Sequence, residues 1–178
     1  MAWSSPMTFT AGAVLTAAQL NTNLRDNLNM TPPALATAAS RIYVSTAANT
    51  LAERVPDSAS VTTSESTAST SYTNLATFGP QIANLQCGPR ALVILQCGLT
   101  NATAGATSYA GVAVAPGLAS TDSLCVAFES SSANQDIQVC TAFIRSDLTP
   151  GLNDFTMQYR VSAGTGSFQN RRISVIPF

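Results

Sequence analysis

The sequence has neither histidine nor lysine among its 178 residues. Without histidine, the chain lacks the commonest general base and every metal site or catalytic triad that contains one. Without lysine, it lacks Schiff-base chemistry and the phosphate-binding lysine of a P-loop. The nine acidic residues are scattered, so a carboxylate pair assembled by folding, as in a glycan hydrolase, is the remaining route to an enzyme. We therefore predict no catalytic, cofactor or metal site.

Charged residues are also scarce. They make up 10% of the chain, against about 25% in typical soluble domains. The net charge of -1 gives no attraction to nucleic acid or to an anionic membrane, and no apolar run reaches the roughly 18 residues of a membrane span. All eight basic residues are arginine, and we interpret the only adjacent pair, Arg171 and Arg172, as a solvated strand end. A surface with so few charges favours assembly with other chains.

The four cysteines, Cys87, Cys97, Cys125 and Cys140, form no C-x-x-C pair and no dense secreted framework. The last three lie inside apolar strand runs, which predicts buried free thiols. This pattern fits folding in a reducing cytosol, with a disulfide between neighbouring strands as the alternative.

One amphipathic α-helix is predicted over residues 16–30. Thr16 and Gln19 have the spacing of a capping box, in which each side chain satisfies a backbone N–H group of the other end of the turn. Two prolines follow Thr31. Because proline disfavours helical geometry in the residue before it, the helix should end near Met30.

Three leucines recur every four residues along this helix and should lie on one face. We call Leu20, Leu24 and Leu28 the leucine seam. A helix of about four turns is marginal alone in water, so the seam needs a partner. That partner is either another molecule or the strands of the same chain.

From residue 61 the pattern changes to short strands separated by turn residues, which predicts a sandwich or a barrel. FTMQYRVSA, which begins at Phe155, alternates as a half-buried strand does. ALVILQCGL, from Ala91, is a continuous apolar run typical of a central strand that is buried on both faces. SYAGVAVAP, from Ser108, has side chains small enough for another backbone to approach closely.

The predicted fold is therefore mainly β, a jelly-roll-like antiparallel β-sandwich preceded by one amino-terminal amphipathic α-helix and a linker. We divide the chain into an anchoring segment at 1–33, a connector at 34–60 and a sandwich head at 61–178. The connector should contain two short extended pieces around a turn at Ala48 and Asn49.

The amino-terminal segment resembles that of many tailed-bacteriophage virion proteins, in which W-x-x-P-x-x-F precedes L-T-A-A-x-L-N and L-R-D-N-L. The matching residues here are Trp3, Pro6, Phe9, Leu15, Thr16, Ala17, Ala18, Leu20, Asn21, Leu24, Arg25, Asp26, Asn27 and Leu28. The connector is similar to a phage-fibre element, Y-x-x-x-x-x-N-x-L-A-x-R, through Tyr43, Asn49, Leu51, Ala52 and Arg54.

This resemblance implies a structural component of a phage particle, assembled in the bacterial host cytoplasm and commonly a minor tail or tail-fibre protein. A capsid decoration or head-fibre protein is the alternative. The residues expected to anchor it to other virion proteins of the tail or capsid are Trp3, Phe9, Leu15, Leu20, Leu24, Arg25, Asp26 and Leu28. The displayed head would bind a glycan of the host surface, with no nucleic acid or membrane as a partner.

We also predict a homotrimer. The charge is low, residues 110–115 are small, and apolar residues lie on both faces of 136–146. Together they predict more apolar strand surface than one two-layer core covers. Three copies side by side would cover the surplus, and three helices would share the leucine seam.

Overall fold

The computed structural model describes residues 4–5 and 7–178, and it divides the chain into two compact units, Met1–Val55 and Pro56–Phe178. Trp3, predicted to be an anchoring residue, lies outside the described residues. Within them, no helix has the length and apolar character needed to cross a membrane.

The first unit contains the predicted helix. It begins as α1, Ala17–Leu20, and continues through a π-helical stretch, Asn21–Asp26. Helical geometry persists to Leu28, where two turn residues follow. A second short helix, α2 (Pro32–Leu35), was not predicted, because the two prolines end the first helix and also occupy the start of the next, where proline needs no N–H group.

A β-hairpin completes this unit. Its strands are β1 (Ile42–Ala47) and β2 (Thr50–Arg54), paired antiparallel. The turn falls at Ala48 and Asn49, as predicted, and Asn49 has a φ of 59°. Asparagine tolerates this left-handed conformation better than most residues do.

The second unit is a β-sandwich of two antiparallel sheets. The five-stranded sheet has the order β3-β11-β6-β9, with β4 also paired to β11, and the four-stranded sheet has the order β5-β10-β7-β8. This is the strand order of a jelly roll, so the predicted fold class is confirmed. The strands are β3 Asp57–Val61, β4 Glu65–Thr67, β5 Gln81–Cys87, β6 Ala91–Asn101, β7 Thr107–Ala115, β8 Cys125–Glu129, β9 Ile137–Arg145, β10 Gly151–Val161 and β11 Gly166–Pro177.

The sandwich begins within the stretch that we assigned to the connector. Strand β3 pairs with β11, and Asp57 lies opposite Val175. The first residues of the sandwich are therefore next to the carboxy-terminal part of its last strand.

The alternation predicted for β10 is confirmed. Phe155, Met157, Tyr159 and Val161 are fully buried between the sheets. Strand β6 is central, as predicted, because β11 and β9 flank it. Only its inward face is fully buried, however, since alternate residues on its outward face are half-exposed.

Arg171 contradicts the prediction of a solvated strand end, because its side chain is completely buried while Arg172 is exposed. The register of β11 against β6 shifts between Gln169 and Arg172, and Asn170 adopts a φ of 47°. This β-bulge adds one residue to the strand and reverses which side chains face the core. Phe168 and Arg171 therefore both point inward.

Buried Arg171 holds a long loop against the sandwich. Its guanidinium donates to the carbonyl oxygens of Gly79 (3.3 Å), Thr77 (3.4 Å) and Thr63 (3.3 Å). Glu65 is its ion-pair partner at 3.6 Å. Thr77 donates to the same carboxylate from its hydroxyl (2.5 Å) and its backbone N–H (2.9 Å).

The small residues of β7 accept an aromatic ring from the same chain. A Cβ at Gly111 would lie 2.9 Å from the ring of Tyr72 and 3.2 Å from the Cβ of Ser120. Arg160 stacks on Tyr109, with its Cζ 3.9 Å from the ring centroid, and forms an ion pair with Asp122. The close approach predicted at Gly111 is thus filled by a side chain, and it gives no support to the homotrimer.

The cysteine prediction is only partly correct. Cys97 is fully buried, Cys125 is half-buried and Cys140 is exposed, and none of these three forms a disulfide. Burial raises the pKa of the Cys97 thiol to about 12. Cys140 is exposed because β9 is an edge strand and this residue lies on its outward face.

Candidate assembly surface

The helix of the first unit begins with the predicted capping box. The backbone N–H of Gln19 donates to Thr16 Oγ1 at 3.2 Å, and that of Thr16 donates to Gln19 Oε1 at 2.9 Å. The Asn23 side chain then donates to the Gln19 carbonyl oxygen at 3.0 Å. An asparagine amide that binds a helix carbonyl competes with the backbone ladder, which is consistent with the wider π-helical stretch that follows.

The π-helical stretch was not predicted, and it straightens the leucine seam. In an α-helix of 3.6 residues per turn, a step of four residues exceeds one full turn, so residues spaced by four drift around the axis. A π-helix takes more residues per turn, and the drift is therefore reversed across it. Leu24 lies inside this stretch, so the three leucines stay closer to one face than in a regular helix.

The leucine seam is exposed on this unit. Leu20, Leu24 and Leu28 have 43%, 57% and 55% of their surface accessible, and Leu15 is exposed as well. No residue of α1 or of the π-helical stretch is buried. The helix therefore presents an apolar face to which the described residues of its own unit supply little cover.

The segment before the helix adds a second wall to this face. Phe9, which is 62% exposed, lines a groove of about 140 Å³ together with Met7, Leu20 and Leu24. The groove places three of the predicted anchoring residues, Phe9, Leu20 and Leu24, on one surface. We call this groove and the leucine seam together the anchoring face.

Asn27 fixes the segment to the helix, a role that sequence reasoning missed. It is only 4% exposed. Its Oδ1 accepts hydrogen bonds from the Ser4 N–H (2.9 Å) and hydroxyl (3.0 Å). Its Nδ2 donates to the carbonyl oxygens of Ser4 (3.1 Å) and Asn23 (3.2 Å). Asn27 lies outside the leucine seam, and its only signal in the sequence is its place in the L-R-D-N-L motif.

Arg25 and Asp26 take no part in the hydrogen bonds between Asn27 and Ser4. Arg25 Nε donates to Asp26 Oδ1 at 2.8 Å, and this hydrogen bond raises the pKa of the Arg25 guanidinium. The Arg25 side chain is 61% exposed and that of Asp26 is 31% exposed. An ion pair that reaches solvent contributes little to stability, so this pair adds little to the stability of the helix.

Among the described acidic residues, Asp122 and Asp136 precede strands of different sheets, β8 and β9. Asp122 binds Arg160 beside the four-stranded sheet, whereas Asp136 accepts from Thr100 and Gln169 on the five-stranded sheet. A general acid needs a raised pKa. Instead, hydrogen bonds lower the pKa of four carboxyl groups below the ordinary value. The four are Glu53, bonded by Thr37; Glu65, bonded by Thr77; Asp122, bonded by Arg160; and Asp147, bonded by Arg145. Within the described residues, no three potential metal ligands of the His, Cys, Asp or Glu types cluster.

A second apolar surface lies on the outward face of the five-stranded sheet. Ile176, Leu92 and Ile144 are opposite one another on β11, β6 and β9, and Ile94 with Ala142 forms the next row. Ile144 is 60% exposed, and Leu92, Ile94 and Ile176 are half-exposed. We call these five residues the apolar sheet face.

Comparisons with known proteins give only a coarse likeness. No protein-family model and no curated protein matches the sequence significantly. A structure of infectious bursal disease virus, Gx strain, is 11% identical with a TM-score of 0.42, over 75% of this chain and 36% of that chain. The crystal structure of the infectious bursal disease virus VP2 subviral particle is 11% identical with a TM-score of 0.37, over 80% of this chain and 41% of that chain. This chain therefore spans less than half the length of either one.

Proposed function

We propose that the protein is a structural, non-enzymatic component of a tailed-phage virion, anchored to the particle through its amino-terminal unit. The observation that carries this proposal is the exposed leucine seam, joined to Phe9 in one anchoring face. Its sequence is also the part of the chain that resembles phage virion proteins. The jelly-roll head is then the part displayed on the particle.

The physical reason is the cost of leaving this face in water. Three exposed leucines of the short helix, and Phe9 and Leu15 before it, would each gain from burial, at about 25 cal/mol per Å² of apolar surface. Such a helix is marginal by itself. The Asn27 hydrogen bonds to Ser4 hold the preceding segment in place without covering the seam, so the surface is organised before a partner arrives.

A minor tail or fibre protein is our first assignment, with host-surface adhesion by the head. A capsid decoration or head-fibre protein is the alternative. Immunogold labelling of intact particles against the head separates them, because the first places gold on the tail and the second places it on the capsid.

The anchoring face is tested by Leu24→Asp, supplied in trans to a phage that lacks the gene. A charge in a buried seam should remove the protein from purified particles. Asn21→Asp is the matched control, since it adds the same charge at an exposed polar position of the same helix. Equal incorporation of both variants, with circular dichroism showing both folded, would refute the anchoring role.

We further propose a homotrimer, whose contacts are the apolar sheet face and the leucine seam. Strand β9 supports this arrangement, because it is an edge strand with apolar residues on both faces and no charge before Arg145. Long edge strands of this kind pair readily with other chains unless something covers them.

A further inference from the structure

The outward face of the five-stranded sheet has a polar cleft where the β11 bulge opens the surface. Arg172 lies at its centre, opposite Ser60 of β3 on one side and Gln96 of β6 on the other. The cleft has a volume of about 160 Å³ and is lined by Ser60, Thr62, Gln96, Asn170, Arg171 and Arg172. We call it the arginine cleft.

Arg172, Arg54 and Arg90 have no carboxylate oxygen within 4.0 Å among the described residues, and of these three only Arg172 lines the cleft. Five others, Arg25, Arg41, Arg145, Arg160 and Arg171, each have a carboxylate oxygen within 4.0 Å. For Arg172 the described residues supply neither an ion pair nor a side-chain hydrogen bond, although it is exposed in a concave surface. The Arg172 guanidinium is therefore a cation without a counterion among the described residues, in a cleft of a chain that has few charges.

Next to the cleft on β11, the Gln169 amide donates to the Asp136 carboxylate, and no Asp136 oxygen lies within 4.0 Å of an Arg172 nitrogen. Arg171 lies directly beside Arg172 in the chain and is completely buried. Its carboxylate partner, Glu65, is 3.6 Å away and is shared with Thr77, and the Arg171 Nε has no hydrogen-bond acceptor among the described residues. Because Glu65 balances the charge of Arg171, the cleft presents the positive charge of Arg172.

The lining residues specify the kind of ligand. A guanidinium recognises a carboxylate or phosphate through two parallel hydrogen bonds. The hydroxyls of Ser60 and Thr62 and the amides of Gln96 and Asn170 both donate and accept, as the hydroxyls of a sugar or polyol require. The volume is below the roughly 300 Å³ of a typical small-molecule pocket, so it suits one acidic unit of a longer polymer.

We propose that the arginine cleft binds the oxoanion of an acidic polysaccharide unit, either the carboxylate of a sugar acid or the phosphate of a polyol phosphate. This inference deepens the adhesion role proposed for the head and relies on it only for the source of the polymer. Many copies on one particle would raise a weak affinity per site by multivalency.

The test is a titration of the isotopically labelled full-length protein, followed by NMR, with sodium glucuronate, glycerol phosphate and glucose as separate probes at constant ionic strength. We expect at least one of the two anions to bind with millimolar affinity and to shift the backbone amides around Ser60, Gln96 and Arg172, and we expect glucose not to bind. Whichever anion binds identifies the oxoanion.

Arg172→Gln should weaken that binding by about tenfold or more, since it removes the charge and the paired donors. Arg90→Gln is the matched control, because Arg90 is also exposed and without a carboxylate within 4 Å among the described residues, yet does not line the cleft. Failure of both anions to bind, or equal affinity in the two variants, would overturn the proposal. Neither result depends on particle incorporation, so the anchoring role is judged separately.

Discussion

The Tyr159 hydroxyl and the Arg171 guanidinium donate to the same acceptor, the carbonyl oxygen of Gly79, at 3.0 Å and 3.3 Å. The Arg171 Cζ also lies 5.4 Å from the centroid of the Tyr159 ring. Two polar groups from adjacent parts of the core therefore converge on one point of the loop that precedes β5. These hydrogen bonds hold the loop, and Arg171 is fully buried, so we expect the sandwich to be sensitive to its replacement.

Arg171→Met should destabilise the sandwich by about 3 kcal/mol or more, because it leaves Glu65 without its cation and the carbonyl oxygens of Thr63 and Thr77 without this donor. Urea denaturation followed by circular dichroism measures the change. Arg172→Met is the matched control, and its exposed side chain predicts a change within about 0.5 kcal/mol. Equal losses in the two variants would contradict the inward orientation that the bulge gives to Arg171.

Stability should fall in acid and stay level near neutrality. Hydrogen bonds from Thr77 hold the pKa of Glu65 below its ordinary value, and Arg171 adds a smaller effect. A carboxylate with a lowered folded-state pKa stabilises the fold above its unfolded pKa, about 4.3, and this contribution is lost as the pH falls through the folded pKa. With no histidine in the chain, no side chain of ordinary pKa titrates between pH 6 and 8.

The urea midpoint is therefore expected to be flat from pH 8 to about 6 and to decrease below about pH 4.5. Glu65→Gln should reduce the size of that decrease, whereas Glu129→Gln, at an exposed strand end, should leave it unchanged. A urea midpoint that rises on acidification would contradict the predicted direction of the pH dependence.

Asn27→Ala should release the segment before the helix. The substitution removes four hydrogen bonds, three of them to Ser4, and alanine itself favours the helix. Amide exchange at Ser4 should therefore quicken by about tenfold or more, the equivalent of roughly 1.4 kcal/mol, while exchange in the sandwich does not change. Asn29→Ala, at an exposed position of the same helix end, serves as the control. Similar Ser4 exchange in both variants would show that Asn27 does not hold the segment before the helix.

Light scattering of the full-length protein and of a fragment of residues 56–178 tests the trimer and locates its contacts. We expect a threefold mass for the full chain at micromolar concentration. A trimeric fragment would assign the contact to the apolar sheet face, and a monomeric fragment would assign it to the amino-terminal unit. A monomeric full-length protein refutes the trimer.

The sequence predicted the strands and faces that depend on local periodicity. It did not predict features that depend on contacts between residues far apart in the chain. Strand β10 was predictable because alternate residues from Phe155 to Val161 are apolar and the core covers all of them. The inward turn of Arg171 was not, since a bulge at Asn170 leaves no periodic signal. Likewise, the role of Asn27 depends on Ser4, 23 residues away, and the glycine at 111 gave no hint that a tyrosine ring would fill its space.

The pairing of Asp57 with Val175 has a practical consequence for attaching cargo to the head. The entrance to the sandwich and the last residues of β11 lie at the same end of the five-stranded sheet. The turn at 162–165, between β10 and β11, lies at the opposite end, where Gly166 pairs with Asn101. A fusion at the carboxy terminus would therefore crowd the entrance, whereas a peptide inserted into that turn would be carried at the far end of the sheet.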